Sequence, residues 1–440
     1  MRSFFLDSRF FIGIGVVVVM FLAAYAVPEL MSAAQLLMMG LLAVTLVDTF
    51  LLYGTRGRFM GGRDVADRLS NGDDNEIRLH LRSSFRFPVH VRIIDELPPQ
   101  FQRRDLQFET LLTPGQEKGL AYTVRPVRRG AYGFGSLHFY VASRFGFVRR
   151  RFSTAQNQEI PVYPSFLQMR RYELLAISDR LSEAGIKKIR KVGHTMEFDQ
   201  IREYVRGDDY RTVNWKATAR RGNLMVNQYQ DEKSQHIYCV VDKGRVMMMP
   251  FEEMTLLDYA INASLVLSNI AVLKQDRAGL VTFAERVGTI LPADRRSTQI
   301  LKINELLYNQ QTDFLESNYE ALYAAIRTRI TNRSLLMLFT NFETLGSLER
   351  QLPSIRKIAR DHLLVVVFFE NTELRSLRDR RAERLEEIFL KTIGEKFAYE
   401  KRRIVKELER YGIHSILTTP RNLTVNAINK YLELKARRLI

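Results

Sequence analysis

The sequence predicts an α/β protein with two N-terminal transmembrane helices, a small β-sandwich-like domain and a doubly wound α/β domain. Three observations support this: two long apolar runs near the N-terminus, closely spaced strand patterns after them, and apolar strands alternating with helices in the second half. We expect a transmembrane hairpin at 1–60, a β-rich domain at 61–165, a linker with a charged segment at 166–234, and the α/β domain at 235–440.

The hairpin prediction comes from two neighbouring apolar runs. Residues 10–27 contain no charged side chain, and a helix of that length spans about 27 Å, close to the hydrocarbon thickness of a bilayer. A second run follows at 30–53, with Asp48 near its end. We expect the Asp48 carboxylate to reach the lipid headgroups. The short break between the runs leaves room only for a tight turn.

Basic residues at both outer ends of the hairpin predict its orientation. These residues are Arg2, Arg9, Arg56, Arg58 and Arg63. Positive charge on both flanks places both ends in the cytoplasm, so we expect a multi-pass protein of the cytoplasmic (inner) membrane with most of its chain cytoplasmic. The alternative is a signal peptide cleaved after Ala24-Tyr25-Ala26, which the second apolar run disfavours.

Composition favours an anionic partner. The 440 residues carry a formal net charge of +17, and the single cysteine, Cys239, excludes an intrachain disulfide. For a chain anchored in a membrane, we expect the lipid bilayer to be the anionic partner. Nucleic acid is the alternative.

Strand and helix patterns divide the remaining chain. From about Asn75 to Tyr163, short strands alternate with Pro and Gly turns at about ten-residue spacing, which is typical of a small sandwich. From His236 onward, buried-type strands alternate with helices, the last at Leu423–Ala436. This alternation predicts a mostly parallel sheet with ligand space at the carboxyl ends of its strands.

Between these domains lies a segment, 196–234, in which acids and bases interleave around the only tryptophan, Trp215. Gly207-Asp208-Asp209 predicts a turn, and Thr212 or Asn214 could cap a short helix through Trp215. This segment is either an interdomain clamp or a docking surface for a partner.

We expect Trp215 and Tyr204 to be buried and to pin the segment to the α/β domain. We expect Arg211 to pair with Asp208, Asp209 or Glu232, because arginine binds carboxylates through two parallel hydrogen bonds. Arg220 is followed by Arg221 and Gly222, with no adjacent acid, and should be freer.

This segment resembles the signature of the bacterial domain-of-unknown-function family 58, which runs roughly E-F-x-x-x-R-x-Y-x-x-G-D-x-x-R-x-x-x-W-x-A-x-A-R. Matching residues are Glu197, Phe198, Arg202, Tyr204, Gly207, Asp208, Arg211, Trp215, Ala217, Ala219 and Arg220. The candidate interaction residues are the matching residues other than Ala217 and Ala219, together with Asp209, Asn214 and Glu232. The order of regions, ending in a von Willebrand factor A-like domain, is also similar. The resemblance implies a partnership with MoxR-type AAA+ ATPases in the assembly or maturation of other proteins.

Von Willebrand factor A-like domains often hold Mg²⁺ through Asp-x-Ser-x-Ser after the first strand, a Thr and a second Asp. Here the first strand ends at Asp242-Lys243-Gly244-Arg245-Val246, and Asn341 stands where the second Asp is usual. Thr312 or Ser317 lies in the region of the Thr. We predict no metal, only a degenerate remnant at Asp242 and Asn341.

The sequence contains no P-loop and no H-E-x-x-H motif. We therefore expect a non-enzyme with no catalytic residues, no cofactor and no small-molecule substrate. The leading interpretation is a membrane-anchored cytoplasmic protein-interaction adaptor, with no nucleic acid expected. The rival is a membrane-tethered nucleic-acid-binding protein, which the net charge motivates.

Overall fold

The computed structural model describes residues 3–54, 58–103, 106–177, 185–186, 196–231, 234–312, 314–371 and 385–439. The chain divides into two compact units, Met1–Tyr163 and Pro164–Ile440. The first unit contains the regions predicted to be the hairpin and the β-rich domain. The second contains the charged segment and the α/β domain.

Two apolar helices begin the first unit: α1 (Ser8–Ala26) and α2 (Leu30–Gly54). Only 11% and 6% of their most apolar windows are buried. Helices that expose apolar side chains on every side need a lipid environment, so the protein is a membrane protein. A third apolar helix, Leu256–Leu273, is 83% buried and belongs to the core of the second unit.

Eleven strands of the first unit form a β-sandwich. They are β1 (Phe4–Leu6), β2 (Phe59–Asp64), β3 (Leu69–Ser70), β4 (Asn75–Ser83), β5 (Val89–Asp95), β6 (Gln107–Leu112), β7 (Glu117–Val124), β8 (Gly130–Phe134), β9 (Leu137–Ala142), β10 (Val148–Thr154) and β11 (Gln158–Tyr163). The sheet orders are β1-β10-β9-β5-β6, β2-β4-β7 and β3-β11-β8. Their apolar faces enclose one core, which also takes in Leu52 of α2.

Strand β1 precedes the first membrane helix, and the sequence patterns gave no sign of it. It pairs antiparallel with β10, where Phe4 lies opposite Arg150 and Leu6 opposite Val148. The residues before α1 and the sandwich after α2 therefore lie on the same side of the bilayer. This pairing supports the predicted hairpin.

Asp48 is not a free carboxylate near the end of α2, and its place among the lipid headgroups stays a prediction. Its side chain is buried and accepts hydrogen bonds from the Ser143 hydroxyl and from the backbone N–H groups of Phe147 and Val148, both at 2.9 Å. The loop between β9 and β10 therefore covers this part of α2. A carboxylate that satisfies two buried N–H groups fixes the sandwich to the membrane helix.

Arg63 also departs from its predicted role as a charge beside the membrane. Its guanidinium is buried in the sandwich, 2.5 Å from Asp95. It also donates to the backbone oxygens of Gln156 at 2.8 Å and Gly135 at 3.1 Å. The Tyr122 hydroxyl donates to the second Asp95 oxygen at 2.5 Å. Burial raises the Asp95 pKa despite these partners, as expected for a carboxyl removed from water.

The second unit is an α/β domain preceded by a hairpin. Its strands are β12 (Met196–Glu203), β13 (Met225–Asp231), β14 (His236–Asp242), β15 (Pro250–Phe251), β16 (Met254–Thr255), β17 (Arg277–Phe283), β18 (Val287–Asp294), β19 (Leu335–Phe339), β20 (Leu363–Phe369) and β21 (His414–Thr418). Its helices are α3 (Phe166–Ile177), α4 (Trp215–Arg221), α5 (Leu256–Leu273), α6 (Thr298–Tyr308), α7 (Tyr319–Arg329), α8 (Leu345–Asp361), α9 (Leu385–Arg410) and α10 (Leu423–Ala436).

The main sheet has the order β18-β17-β14-β19-β20-β21. All its pairs are parallel except β17 with β18. Separate apolar clusters cover its two faces. This confirms the predicted doubly wound, von Willebrand factor A-like fold. Cys239 lies in the core on β14, where burial raises its thiol pKa to about 11.

Candidate functional site

The strand order reverses between β14 and β19, so a crevice is expected where these strands end. Asp242 ends β14 there and is fully buried. It accepts hydrogen bonds from the Thr340 hydroxyl at 2.7 Å, the Tyr319 hydroxyl at 3.3 Å, the Gly244 N–H at 2.8 Å and the Ser317 hydroxyl. Burial raises the Asp242 pKa, and the hydroxyl donors oppose that rise.

Protein hydroxyl groups therefore donate to the Asp242 carboxylate. This is the position at which von Willebrand factor A-like domains often bind Mg²⁺. Ser317, one of the two residues suggested for the threonine position, donates to Asp242 directly. Among the described residues, no group of three or more His, Cys, Asp or Glu side chains could hold a metal ion. That the native protein binds no metal stays a prediction.

Gly244 explains why the first serine of the metal motif is missing. A Cβ atom at this position would lie 2.0 Å from the Ser317 Oγ, 3.1 Å from an Asp242 oxygen and 3.2 Å from the Leu315 carbonyl oxygen. A side chain at 244 and the Ser317 hydroxyl thus compete for the same space. The Ser317 contact with Asp242 requires glycine here.

This competition predicts a rescue. Gly244→Ser should lower the free energy of unfolding by about 1–3 kcal/mol, the usual range for overpacking. In a Ser317→Ala background the same change should cost less than half as much, because the clashing oxygen is gone. Thermal unfolding of the four proteins of this cycle measures the coupling. Equal costs in both backgrounds would contradict the explanation.

A cavity of about 250 Å³ lies at the same edge of the sheet, where β19 and β20 end beneath α9. Its lining includes Phe251, Asn341, Phe369, Phe397 and Lys401. The Lys401 amine donates to the Asn341 side-chain oxygen at 2.7 Å and the Phe342 carbonyl at 2.5 Å. Burial lowers the Lys401 pKa to about 7. Asn341 is the second residue of the predicted metal-site remnant. Its side-chain oxygen thus accepts a hydrogen bond from the Lys401 amine.

The signature segment forms a hairpin of its own. β12 and β13 pair antiparallel, with Glu203 opposite Met225. Residues 204–224 between them, which we name the signature tip, contain a 3₁₀ turn and α4. The Asn214 side chain accepts from the Ala217 N–H at 3.0 Å and so caps α4, and Gly222 ends it with a φ of 75°.

An arginine fork fixes the start of the tip. Arg202 donates to both Asp208 oxygens, at 2.8 and 2.6 Å, and the Val205 N–H also donates to Asp208 at 2.9 Å. Gly207 precedes with a φ of 116°, a conformation that glycine adopts without strain. Asp209 then accepts from the Arg211 N–H at 2.9 Å. The predicted turn at 207–209 is confirmed, with Arg202 as the partner of Asp208.

The prediction that Trp215 and Tyr204 are buried is wrong. Trp215 is 72% exposed and Tyr204 36% exposed. Trp215 stands at the first position of α4, while the small core of the hairpin is made by Met225 and Val226, each 2% exposed. Helix α4 has only seven residues, and one of its faces is enough to cover that core. The side chain at its first position, Trp215, therefore remains in solvent.

The remaining signature residues separate into two groups. Within the described chain, the Arg211 guanidinium contacts no carboxylate and lies 5.8 Å from the Tyr210 ring centre, so its predicted pairing with Asp208 or Asp209 is wrong. Arg220 is exposed and has no ion-pair partner among the described residues. Glu197 and Phe198 belong to β12, but their side-chain surroundings lie outside the described residues, as does Glu232.

This geometry can be compared with known families. Residues 200–379, which span the signature tip and the first two thirds of the α/β domain, match the family model "Protein of unknown function DUF58". The family prediction is confirmed over this segment. The DUF58 match includes Trp215, Asp242 and Lys243, and ends before α9 and Lys401.

Among curated proteins, "Uncharacterized protein YeaD" of Bacillus subtilis (strain 168) is 24% identical over 184 residues. That alignment covers 40% of this chain and 45% of the relative, so the chain spans less than half of the relative's length.

Among solved structures, the conserved hypothetical protein BatB of Bacteroides thetaiotaomicron is 12% identical, with a TM-score of 0.32, over 47% of this chain and 100% of that one. An aerotolerance-related membrane protein of Bacteroides fragilis is 11% identical, with a TM-score of 0.29 and the same coverage of both chains.

Proposed function

We propose that this protein is a membrane-anchored adaptor that binds a protein partner through the signature tip. The observation that carries the proposal is the exposure of Trp215 on a capped, ordered helix. Tyr210 and Val205 in the same tip are 73% and 61% exposed. Tryptophan, tyrosine and arginine are enriched at the residues that dominate protein interfaces, and a fold has no need to expose such side chains together.

The charge of the signature tip gives the partner's chemistry. It contains five basic residues and two acids, Asp208 and Asp209. Arg202, just outside the tip, neutralises Asp208, so the tip presents an excess of positive charge around its aromatic side chains. The complementary surface is an acidic patch with an apolar pocket.

Within this proposal, the partner is a MoxR-type AAA+ ATPase and the adaptor presents other proteins to it for assembly or maturation. The hairpin would lie in the cytoplasmic membrane, with the sandwich and the second unit in the cytoplasm. We also propose that the protein is not an enzyme. The Asp242 cluster supports this, since its polar groups bind one another and leave no free catalytic pair.

The test is Trp215→Ala, with Tyr399→Ala as the control because Tyr399 is 58% exposed on α9 of the same unit. Both variants should keep the wild-type unfolding temperature, because an exposed side chain contributes little to the core. Trp215→Ala should weaken binding to the purified ATPase by about 2 kcal/mol or more, roughly thirtyfold in Kd. Tyr399→Ala should bind normally.

Loss of stability in Trp215→Ala would contradict the exposed position of this residue. Unchanged binding would remove the signature tip as the docking surface. A titration with single-stranded and duplex DNA tests the rival function. Tight binding at physiological salt, falling steeply as salt rises, would favour a nucleic-acid partner.

A further inference from the structure

A polar cavity of about 280 Å³ lies in the first unit where the first membrane helix begins. Its walls are the start of α1 and the neighbouring strands β5, β6, β9 and β10. Three arginines line it, Arg9, Arg92 and Arg149, together with the carboxylates of Asp7 and Glu109. None of these residues belongs to the signature or to the Asp242 cluster.

The position of the cavity along α1 places it at the level of the lipid headgroups. Asp7 caps α1, and the uncharged run starts immediately after Arg9, at Phe10. The Arg9 guanidinium donates to the Phe145 carbonyl at 3.1 Å, and the Phe145 ring is 46% exposed beside it. An arginine at the end of an apolar helix, where its charge can reach the headgroups, is typical of the membrane interface.

The ion pairs within the cavity leave one cation without a carboxylate. Arg149 pairs with Asp7 at 2.7 Å, and Arg92 with Glu109 at 2.6 Å. Within the described residues, the contact of Arg9 is with a neutral carbonyl. The cavity therefore has one positive charge in excess. An anion with several oxygen atoms that accept hydrogen bonds would balance this charge.

We propose that this cavity binds the phosphate headgroup of an anionic glycerophospholipid from the adjacent leaflet. The phosphate supplies oxygen acceptors for arginine, and a single negative charge balances the excess. The acyl chains would lie along α1, where Phe11 and Ile12 are 59% and 66% exposed. Free phosphate satisfies the charge but gains nothing from these apolar side chains, which favours the lipid.

The test uses the full-length protein in nanodiscs of phosphatidylcholine containing phosphatidylglycerol, with retained lipids counted by native mass spectrometry. We expect one tightly retained phosphatidylglycerol. Arg9→Gln should weaken its retention roughly fivefold, the effect of one basic residue near an anionic surface. Arg92→Gln should do the same without altering the helix flank, because it leaves Glu109 unpaired in the cavity.

The matched control is Arg78→Gln, which also removes an exposed arginine from an ion pair in the first unit but lies outside the cavity. It should leave retention unchanged. Equal weakening by all three variants would show general surface attraction and overturn the site. The site would also be overturned if no phosphatidylglycerol is retained, or if millimolar inorganic phosphate displaces it completely.

Discussion

Replacing Arg63 by methionine is expected to destabilise the first unit by about 3–5 kcal/mol, because it leaves the buried Asp95 carboxylate without its cation. The side chains of this ion pair are fully buried, and the Tyr122 hydroxyl alone would remain to solvate Asp95. The two carbonyls that Arg63 now binds would also lose their donor. Chemical denaturation of the full-length protein in a fixed detergent measures the loss.

Two comparisons separate this effect from a general loss of charge. Arg78→Met removes an arginine whose side chain is 62% exposed, and should leave stability nearly unchanged because exposed ion pairs contribute little. The Asp95 pKa is already raised in the folded protein. Removing Arg63 raises it further, so folding of the variant takes up a proton. Its stability should therefore recover as pH falls and worsen as pH rises. A pH-independent loss would point to packing alone.

The second large effect is expected at the sheet's carboxyl edge. Asp242→Ala should cost about 3–5 kcal/mol, because it leaves the hydroxyls of Ser317, Thr340 and Tyr319 and the Gly244 N–H without their common acceptor. Asp242→Asn should cost less than half of that. Its remaining oxygen still accepts, and its amide can donate to a hydroxyl that rotates.

Thermal unfolding of the two variants tests this account. Hydrogen exchange of the backbone amides in β14 and β19 measures the local stability of the two strands. Both strands should lose protection in Asp242→Ala and keep most of it in Asp242→Asn. If alanine is tolerated as well as asparagine, the cluster contributes little to folding. The cluster would then have another role, such as cation binding.

The elements that the sequence predicted well are those with a strong periodic pattern. Helix α10 spans Leu423–Ala436, as predicted, and β20 coincides with its continuous apolar run. Asn214 is one of the two residues expected to cap the short helix, and this expectation was possible because a capping side chain contacts backbone only three residues away. Each of these rests on local spacing.

What the sequence did not reveal rests on distant partners. Asp48 is satisfied by Ser143, 95 residues further along the chain, and Arg63 by residues up to 93 away. No local pattern reports such contacts. Trp215 shows a different limit: its type favours burial, but a short capped helix gives its first residue nowhere to pack. The signature therefore predicted which residues lie together in the tip, but it did not predict which of their side chains are exposed.

Strand β1 makes the order of biosynthesis matter for this chain. Phe4 is made 146 residues before its partner Arg150, and both membrane helices lie between them. At ordinary translation rates that interval lasts roughly ten seconds or more. The hairpin can therefore enter the bilayer while the leading strand still waits at the surface. Pairing of β1 with β10 then joins an early part of the chain to one made much later, so this sheet can be completed only after both membrane helices have been synthesised.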